Sequence, residues 1–257
     1  MKVSIITVTF NSANTIRDTL ESIRNQTYPN IEHIIIDGAS KDYTLEIIKQ
    51  FPNVSKVVSE PDAGIYDAMN KGLKVATGDI IGILNSDDFY GDIHLIQKIV
   101  DTFHQNNIDA LYGDVTFVSP KNLEKVERYY SSKYFNPKKF EFGYMPAHPT
   151  FFTKKECYEK FGLYKTNYKI SADYELLIRF LYVHKLKYKY LNYSMVTMRS
   201  GGVSNSSLKH IYVLNKEIVR ACKENGIDTN MFKLSFKFFR KISEFIFLKP
   251  SQNLSQI

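Results

Sequence analysis

The chain has 257 residues, a net charge of +7 and two cysteines. This length suits one large domain or one domain with a tail, and so few cysteines exclude a disulfide framework and favour a reducing cytoplasm. No apolar run reaches the roughly 20 residues of a membrane-spanning helix, no secretory signal is recognisable, and the positive charge favours an anionic partner: nucleic acid, phosphorylated substrate or anionic lipid.

The first 105 residues alternate between strand patterns and helix patterns. Strands are predicted at residues 3–9, 31–36, 54–58 and 79–84. An amphipathic helix follows each strand, and the last two helices are predicted at residues 65–76 and 92–105. Such alternation predicts a parallel sheet that is covered by helices on both faces and connected by right-handed crossovers.

The pattern changes after residue 108. Strands are predicted at residues 110–118, 123–130, 187–191 and 195–198, and another follows the segment 146–152, ahead of a short helix near 155–161. Residues 129–142 are rich in aromatics and lysine without a clear period, which is typical of a mobile or substrate-facing loop. A helix is predicted over residues 171–183, with Ser171 as its N-cap, so that the helix dipole favours an ionised Asp173 in the first turn.

Polar or acidic residues follow four consecutive strands of the first half. They are Asn11, Asp37, Glu60 with Asp62, and Asp87 with Asp88. Because the carboxyl ends of parallel strands meet at one edge of a sheet, these side chains predict an acidic cleft that binds a divalent cation together with phosphate oxygens. The alternative is that each residue serves only the turn in which it lies. Neither a dinucleotide-binding glycine motif nor a P-loop is present, so metal or basic side chains would have to meet the phosphates.

The C-terminal residues form a basic, aromatic pattern. Over residues 231–248, Phe238, Phe239, Ile242, Phe245 and Ile246 fall on one side of a helix, and Lys233, Lys237, Arg240 and Lys241 fall on the other. A helix of this kind can lie in a membrane interface, or it can pack its aromatic face against its own domain.

Several ordered segments resemble the family 2 glycosyltransferases. They are residues 4–11, 35–40, 60–72, 76–79 and 85–88, followed by 148–152, 171–175 and 201–204. The resemblance covers about residues 1–205 and implies the GT-A (nucleotide-diphospho-sugar transferase) fold, an α/β architecture with a Rossmann-like mixed sheet flanked by helices. It further implies a nucleotide-binding half at 1–105, an acceptor-binding half at 106–205 and a helical, basic tail at 206–257.

The resemblance also assigns roles to the strand-end residues. Asp37 matches the aspartate that binds the nucleobase, Thr9 and Asn11 would line the same nucleoside pocket, and Asp62 would lie near the base or ribose. Asp88 would hold a metal ion, Mn²⁺ or Mg²⁺, on the diphosphate, and Asp87 would lie near the ribose or metal. Asn85 replaces the usual first acidic residue of this motif, which leaves strict metal dependence open.

Three residues of the second half complete the expected site. Asp173 matches the catalytic base, although it could also be only a helix-cap residue, and Ala172 replaces the usual acidic neighbour. Arg199 would donate to the diphosphate or would be a surface arginine beside a turn. His148 would contact donor or acceptor, or would be a structural histidine before Pro149.

The expected function is therefore inverting transfer of a sugar, most often from a UDP-sugar, in the manner of bacterial enzymes of O-antigen, capsule or exopolysaccharide synthesis. The expected acceptor is a lipid-diphosphate-linked glycan at the inner face of the plasma membrane, which the tail would contact, and nucleic acid is not an expected partner. Two alternatives remain. A sugar-phosphate nucleotidyltransferase would need a glycine- and lysine-rich loop where this chain has Phe10, Asn11 and Ser12. A non-catalytic nucleotide- or nucleic-acid-binding module would need an exposed basic stripe with interleaved aromatics.

Overall fold

Eight strands form one mixed sheet in a computed structural model that describes residues 1–201 and 208–235. The strands are β1 (Val3–Thr9), β2 (Ile31–Asp37), β3 (Val54–Ser59), β4 (Ile80–Ile83), β5 (Ala110–Ser119), β6 (Asn122–Tyr130), β7 (Phe152–Lys154) and β8 (Tyr188–Arg199). Their order is β3-β2-β1-β4-β7-β5-β6, and β8 pairs with β5. The predicted α/β class and mixed sheet are confirmed.

The helices flank this sheet. They are α1 (Ile16–Arg24), α2 (Thr44–Ile48), α3 (Ile65–Val75), α4 (Leu95–Gln105), α5 (Lys155–Phe161), α6 (Ala172–Ile178) and α7 (Leu208–Glu224). Short 3₁₀ turns occur at Pro137–Phe142 and His148–Thr150, and a π turn at Arg179–Val183 extends α6. Residues 231–235 are also helical.

The first half is the parallel sheet that the strand–helix alternation predicts. β1 lies between β2 and β4, β2 also pairs with β3, and all these pairs are parallel. Every residue of β1 is buried: Ile6 packs in the cluster that contains α3, whereas Ile5 packs in the cluster that contains α4. Two apolar faces on one strand require a helix layer on each side, and in open sheets covered in this way ligands bind at the carboxyl ends of the strands.

The second half departs from the prediction at β8. The sequence pattern predicts two strands separated by the polar residues Asn192 and Ser194, but the structure contains one continuous strand. β8 runs parallel to β5, and the register shifts on both sides of Asp114 accommodate the polar stretch. A bulge of this kind lets a strand continue through residues that break its apolar pattern.

The structure corrects the prediction for residues 129–142 and describes only the start of the predicted tail helix. Residues 129–142 are not simply a loop, because β6 extends to Tyr130 and Pro137–Phe142 forms a 3₁₀ turn. The amphipathic tail helix lies mostly outside the described residues, as do Gly202 and the two residues after it. Within residues 1–201 and 208–235, no helix has the length and hydropathy required to span a bilayer.

Candidate active site

Asp37 anchors the turn after β2. Its side chain is fully buried at the end of that strand. One carboxylate oxygen accepts a 2.5 Å hydrogen bond from the Ser40 hydroxyl, and the other accepts from the Ser40 backbone N–H at 3.0 Å and from the Ser59 hydroxyl at 2.6 Å. Three donors compensate the buried charge without a cation. The same bonds tie the end of β2 to the end of β3.

Residues from two other loops, those after β1 and β3, converge beside this turn. Asn11, with φ 50°, donates its backbone N–H to the Ser40 hydroxyl at 2.8 Å. Asp62 accepts the Gly64 N–H at 2.9 Å, and its other carboxylate oxygen lies over Gly38, where a Cβ atom would be only 2.6 Å away. The structure therefore brings Asn11 and Asp62 to the turn that Asp37 holds. It leaves their ligand roles as predictions.

Phe10 is a site residue that sequence reasoning missed. Its ring is 61% exposed, although it directly follows a strand that is buried throughout. A Cβ on Gly38 would lie 3.4 Å from the Phe10 ring, so the ring stands beside the Gly38 turn and Asp62. The available signal was its position between Thr9 and Asn11, both predicted to line the nucleoside pocket.

The loop after β4 carries two adjacent carboxylates, Asp87 and Asp88. Asp88 is buried, whereas Asp87 is exposed. Burial, and next the charge of Asp87, raise the pKa of Asp88 well above its ordinary value, although Asn85 and Arg199 act in the opposite direction. Asn85 donates its side-chain amide to one Asp88 oxygen at 3.3 Å. The other Asp88 oxygen, the Asn85 amide oxygen and the Thr9 hydroxyl are buried with no hydrogen-bond partner among the described residues.

These orphaned oxygens fit a divalent cation. Mn²⁺ and Mg²⁺ prefer oxygen ligands, and Mg²⁺ sites typically combine one or two carboxylates with phosphate oxygens and water. In the described part of the chain no three His, Cys, Asp or Glu side chains are grouped to hold a metal by themselves. The chain thus offers one carboxylate, at Asp88, and one amide oxygen, at Asn85, so a diphosphate would have to supply further ligands.

Arg199 reaches this loop from the end of β8, and two of its guanidinium nitrogens are already engaged. Its guanidinium hydrogen-bonds the Asp87 carbonyl and pairs with Asp18 on α1. The Thr19 hydroxyl, also on α1, donates to the Asp88 carbonyl at 2.7 Å. Arg199 therefore fastens the acidic loop to α1 in this structure, and its predicted contact with a diphosphate stays a prediction.

A second cluster surrounds Asp173 in the first turn of α6. One carboxylate oxygen accepts the Tyr174 N–H at 2.8 Å and the Tyr66 hydroxyl at 3.3 Å. The other lies 3.2 Å from Nδ1 of His148. The Asp173 side chain is 14% exposed and that of His148 is 35% exposed, so the pair is open to a ligand from the histidine side. Burial, and next Asp173, raise the pKa of Tyr66, which keeps the phenol a proton donor.

Both clusters lie at the carboxyl edge of the sheet. Tyr66 is in the first turn of α3, immediately after the loop that holds Asp62. The His148–Thr150 turn packs against β4, and the antiparallel register of β7, with Ile81 opposite Thr153, carries that turn toward the Asp88 loop. The Asp173 pocket therefore faces the same edge as the acidic strand ends.

Comparisons with known proteins identify the family and the fold. The sequence model of glycosyl transferase family 2 matches residues 4–162, which include β1 to α5. The chain is 27% identical over 223 residues to the PGL/p-HBAD biosynthesis glycosyltransferase of Mycobacterium tuberculosis, covering 84% of this chain and 82% of that protein. Asp173 lies beyond the matched residues.

Two solved structures share the fold. Staphylococcus aureus TarS 1–349 in complex with UDP-GlcNAc superposes with a TM-score of 0.68 at 17% identity, over 95% of this chain and 73% of that one. This chain spans 44% of a longer TarS chain. The mannosyltransferase PcManGT from Pyrobaculum calidifontis, in complex with GDP-Man and Mn²⁺, gives 0.61 at 19% identity, over 89% and 65% of the two chains.

Proposed function

We propose that this chain, which belongs to glycosyl transferase family 2 and is a glycosyltransferase of the GT-A fold, transfers a sugar from a nucleoside-diphosphate sugar to an acceptor hydroxyl with inversion at the anomeric carbon. The observation that carries the proposal is the single open edge that Asp173 shares with Asp37, Asp62 and Asp88. A donor lying along the strand ends would present its sugar to a carboxylate on the opposite side.

Asp173 is the general base of this proposal. The acceptor oxygen attacks the anomeric carbon while its proton passes to the carboxylate, and the bond from that carbon to the leaving diphosphate breaks with its electron pair. Tyr174 and Tyr66 hold one oxygen of Asp173, which leaves the oxygen beside His148 to receive the proton. His148 would donate to this oxygen through Nδ1, which lies 3.2 Å away, and so orient the base. A positioned base contributes about 10²–10⁴-fold to the rate.

The donor-side residues bind the nucleotide. Phe10 offers an exposed ring on which a base can stack. Asp37 is fully buried and fixes the turn through Ser40, and the family resemblance assigns its carboxylate an N–H donor such as that of uracil. Thr9, Asn11 and Asp62 complete the nucleoside pocket. UDP is therefore the nucleotide we favour, and TarS provides a neighbour of the same fold with UDP-GlcNAc bound.

Asp88 and Asn85 are the residues that would hold a divalent metal, with Asp87 near the ribose or metal. Bound there, Mn²⁺ or Mg²⁺ would offset the negative charge that develops on the leaving diphosphate. Arg199 stabilises the position of this loop, because its guanidinium donates to the Asp87 carbonyl.

The acceptor that we favour is a lipid-diphosphate-linked glycan of surface polysaccharide synthesis, as in O-antigen or capsule. In this proposal the enzyme is cytoplasmic and binds the acceptor at the inner face of the plasma membrane. The support is the sequence of residues 231–248, in which phenylalanines face one side of a predicted helix and basic residues the other. Met231 and Phe232, at the start of this segment, are exposed. We expect the chain to sediment with anionic vesicles and a chain ending at residue 230 to remain in solution.

The test of the proposal is a donor screen that follows nucleoside-diphosphate release, with and without EDTA, alongside thermal shift. UDP with Mn²⁺ should raise the melting temperature, and a single-stranded oligonucleotide should not. Release from one nucleotide sugar that EDTA suppresses would support the proposal. Stabilisation by the oligonucleotide alone would instead favour the non-catalytic binding module, and a sugar phosphate with a nucleoside triphosphate as the productive pair would favour the nucleotidyltransferase.

A further inference from the structure

Glu217 on α7 makes an unusual set of contacts. One carboxylate oxygen accepts the backbone N–H of Lys169 at 2.7 Å. The other accepts the N–H groups of Ile170 and Ser171, at 2.9 and 3.0 Å. One side chain thus binds three consecutive backbone amides, which immediately precede the helix that carries Asp173.

Only one of these bonds caps the helix. Ser171 is the N-cap of α6, so its N–H is the first of the four amides that lack partners inside the helix, whereas the amides of Lys169 and Ile170 lie before it. The Ser171 side chain makes no capping bond to the helix. Glu217 therefore holds the loop before the helix, and its geometry determines where the first turn of α6 begins.

Ile170 is held from two sides. Its N–H binds Glu217 of α7, and its carbonyl accepts the Tyr66 hydroxyl of α3 at 2.5 Å. The same hydroxyl reaches Asp173 at 3.3 Å. A displacement of Ile170 would therefore move the Tyr66 hydroxyl and, through it, the carboxylate of Asp173.

We propose that Glu217 is a positioning residue for the base: by clamping the amides of residues 169–171 it fixes the orientation of Asp173. The proposal rests on the proposed function, in which Asp173 takes the acceptor proton. Glu217 lies beyond residues 4–162, which the family model matches, so a segment outside that match sets the geometry of catalysis. Phe10, Asn11, Asp37, Asp62 and Asp88, which we call the donor cluster, make none of these contacts. Donor binding should therefore not depend on Glu217.

The experiment compares Glu217→Ala, Glu217→Gln, Glu224→Gln and Asp173→Asn in the full chain. Glu224 is the matched control, because it lies on the same helix and pairs with Lys165 and Arg220 but binds none of the three amides. The readouts are kcat and donor KM for transfer, the thermal shift with UDP, and hydrogen exchange of the amides at 169–171.

Glu217→Ala should lower kcat by about 10- to 100-fold, since a misplaced catalytic group costs up to about 100-fold. Donor KM and the UDP shift should stay near those of the unaltered chain, and the amides at 169–171 should exchange faster. The kcat of Glu217→Gln should lie between that of Glu217→Ala and that of the unaltered chain. The reason is that a single amide oxygen can keep the two bonds to Ile170 and Ser171 but not the bond to Lys169. Glu224→Gln should retain the original kcat.

Two results would overturn the proposal. One is an unchanged kcat in Glu217→Ala while Asp173→Asn is inactive. The other is a loss of donor binding that matches the loss of kcat, which would indicate a general structural role. If Glu217→Ala does not fold, Glu217→Gln provides the test. A lower kcat with an unchanged donor KM supports the proposal, and an unchanged kcat or a matching loss of donor binding overturns it. An active Asp173→Asn would instead refute the base assignment, so the two failures are distinguishable.

Discussion

The donor cluster differs in its construction from the base pocket, by which we mean Asp173 with Tyr66, His148 and the Glu217-bound loop before α6. In the donor cluster each acidic side chain makes a local bond: Asp37 binds Ser40 three residues on, Asp62 binds Gly64 two residues on, and Asp88 binds Asn85 three residues back. The distant bonds there, such as that from Ser59 to Asp37 across 22 residues, join one strand-end turn to the next. In the base pocket the contacts are distant, since the Tyr66–Asp173 bond spans 107 residues and the Glu217–Ile170 bond spans 47.

This difference has a physical consequence. Short Asx and Ser turns form from local sequence, so the donor cluster needs only the parallel strands to bring its turns to one edge. The base pocket needs α3, α6, α7 and the His148 turn to pack correctly at the same time. Changes in the base pocket should therefore affect chemistry, and changes in the donor cluster should affect binding of donor and metal.

The largest expected effect comes from Asp173→Asn. The amide keeps the shape of the side chain but cannot take the acceptor proton, so transfer should fall by about 10²–10⁴-fold. UDP affinity should not change, because Asp173 makes no contact with the donor cluster among the described residues. Steady-state transfer and UDP titration measure the two effects. Full transfer by this variant with the true acceptor would remove the distinction between the two regions.

Asp88→Asn should have the next largest effect. Loss of the carboxylate should abolish the Mn²⁺-dependent part of the UDP thermal shift and lower transfer by about 100-fold. The exposed Asp87 serves as the control, and Asp87→Asn should weaken the metal effect much less. Equal losses in the two variants would contradict the assignment of the metal to Asp88.

The same variant should be more stable than the parent chain. Because burial raises the pKa of Asp88, ionising it in the folded chain costs free energy, and this cost grows as pH rises from the unfolded-state pKa toward the folded one. Asp88→Asn removes the cost, so without metal its melting temperature should exceed that of the parent by about 2–4 °C per kcal/mol near neutral pH. The gap should narrow as pH falls, and Mn²⁺ affinity of the parent should weaken in the same direction.

The contrast also explains what the sequence predicts. Strand ends followed by Asp37, Asp62 and Asp88 are visible because strand periodicity and turn residues are local signals. The parallel half of the sheet follows from the same signals. Hence the placement of the donor edge needed no knowledge of distant contacts.

The remaining contacts required the folded chain. The pairing of His148 with Asp173 and the bonds of Glu217 depend on how segments far apart in sequence pack. The partner of Arg199 is Asp18, at a separation of 181 residues, and nothing in the local sequence of either indicates it. β8 was predicted as two strands because its polar middle is accommodated only by the bulge opposite Asp114.

The smallest effect should come from Phe10→Ala. Stacking of a base on an aromatic ring contributes about 1–3 kcal/mol, so donor KM should rise about tenfold, while kcat at saturating donor should be retained. Tyr43→Ala is the matched control, since Tyr43, at the N-cap of α2, is an aromatic residue with an even larger exposed fraction, 76%. Phe10→Tyr should restore donor KM because it keeps the ring.

Phe10→Ala tests directly whether the donor cluster acts only in binding and the base pocket only in chemistry. Phe10 is held by no hydrogen bond of its side chain, and its place depends on the Gly38 turn and Asp62 beside it. If the turn-built cluster is a binding device only, Phe10→Ala changes KM alone. A fall in kcat with unchanged KM would mean that the ring acts on the reacting sugar, and the donor edge would then take part in the chemistry that we assign to the base pocket.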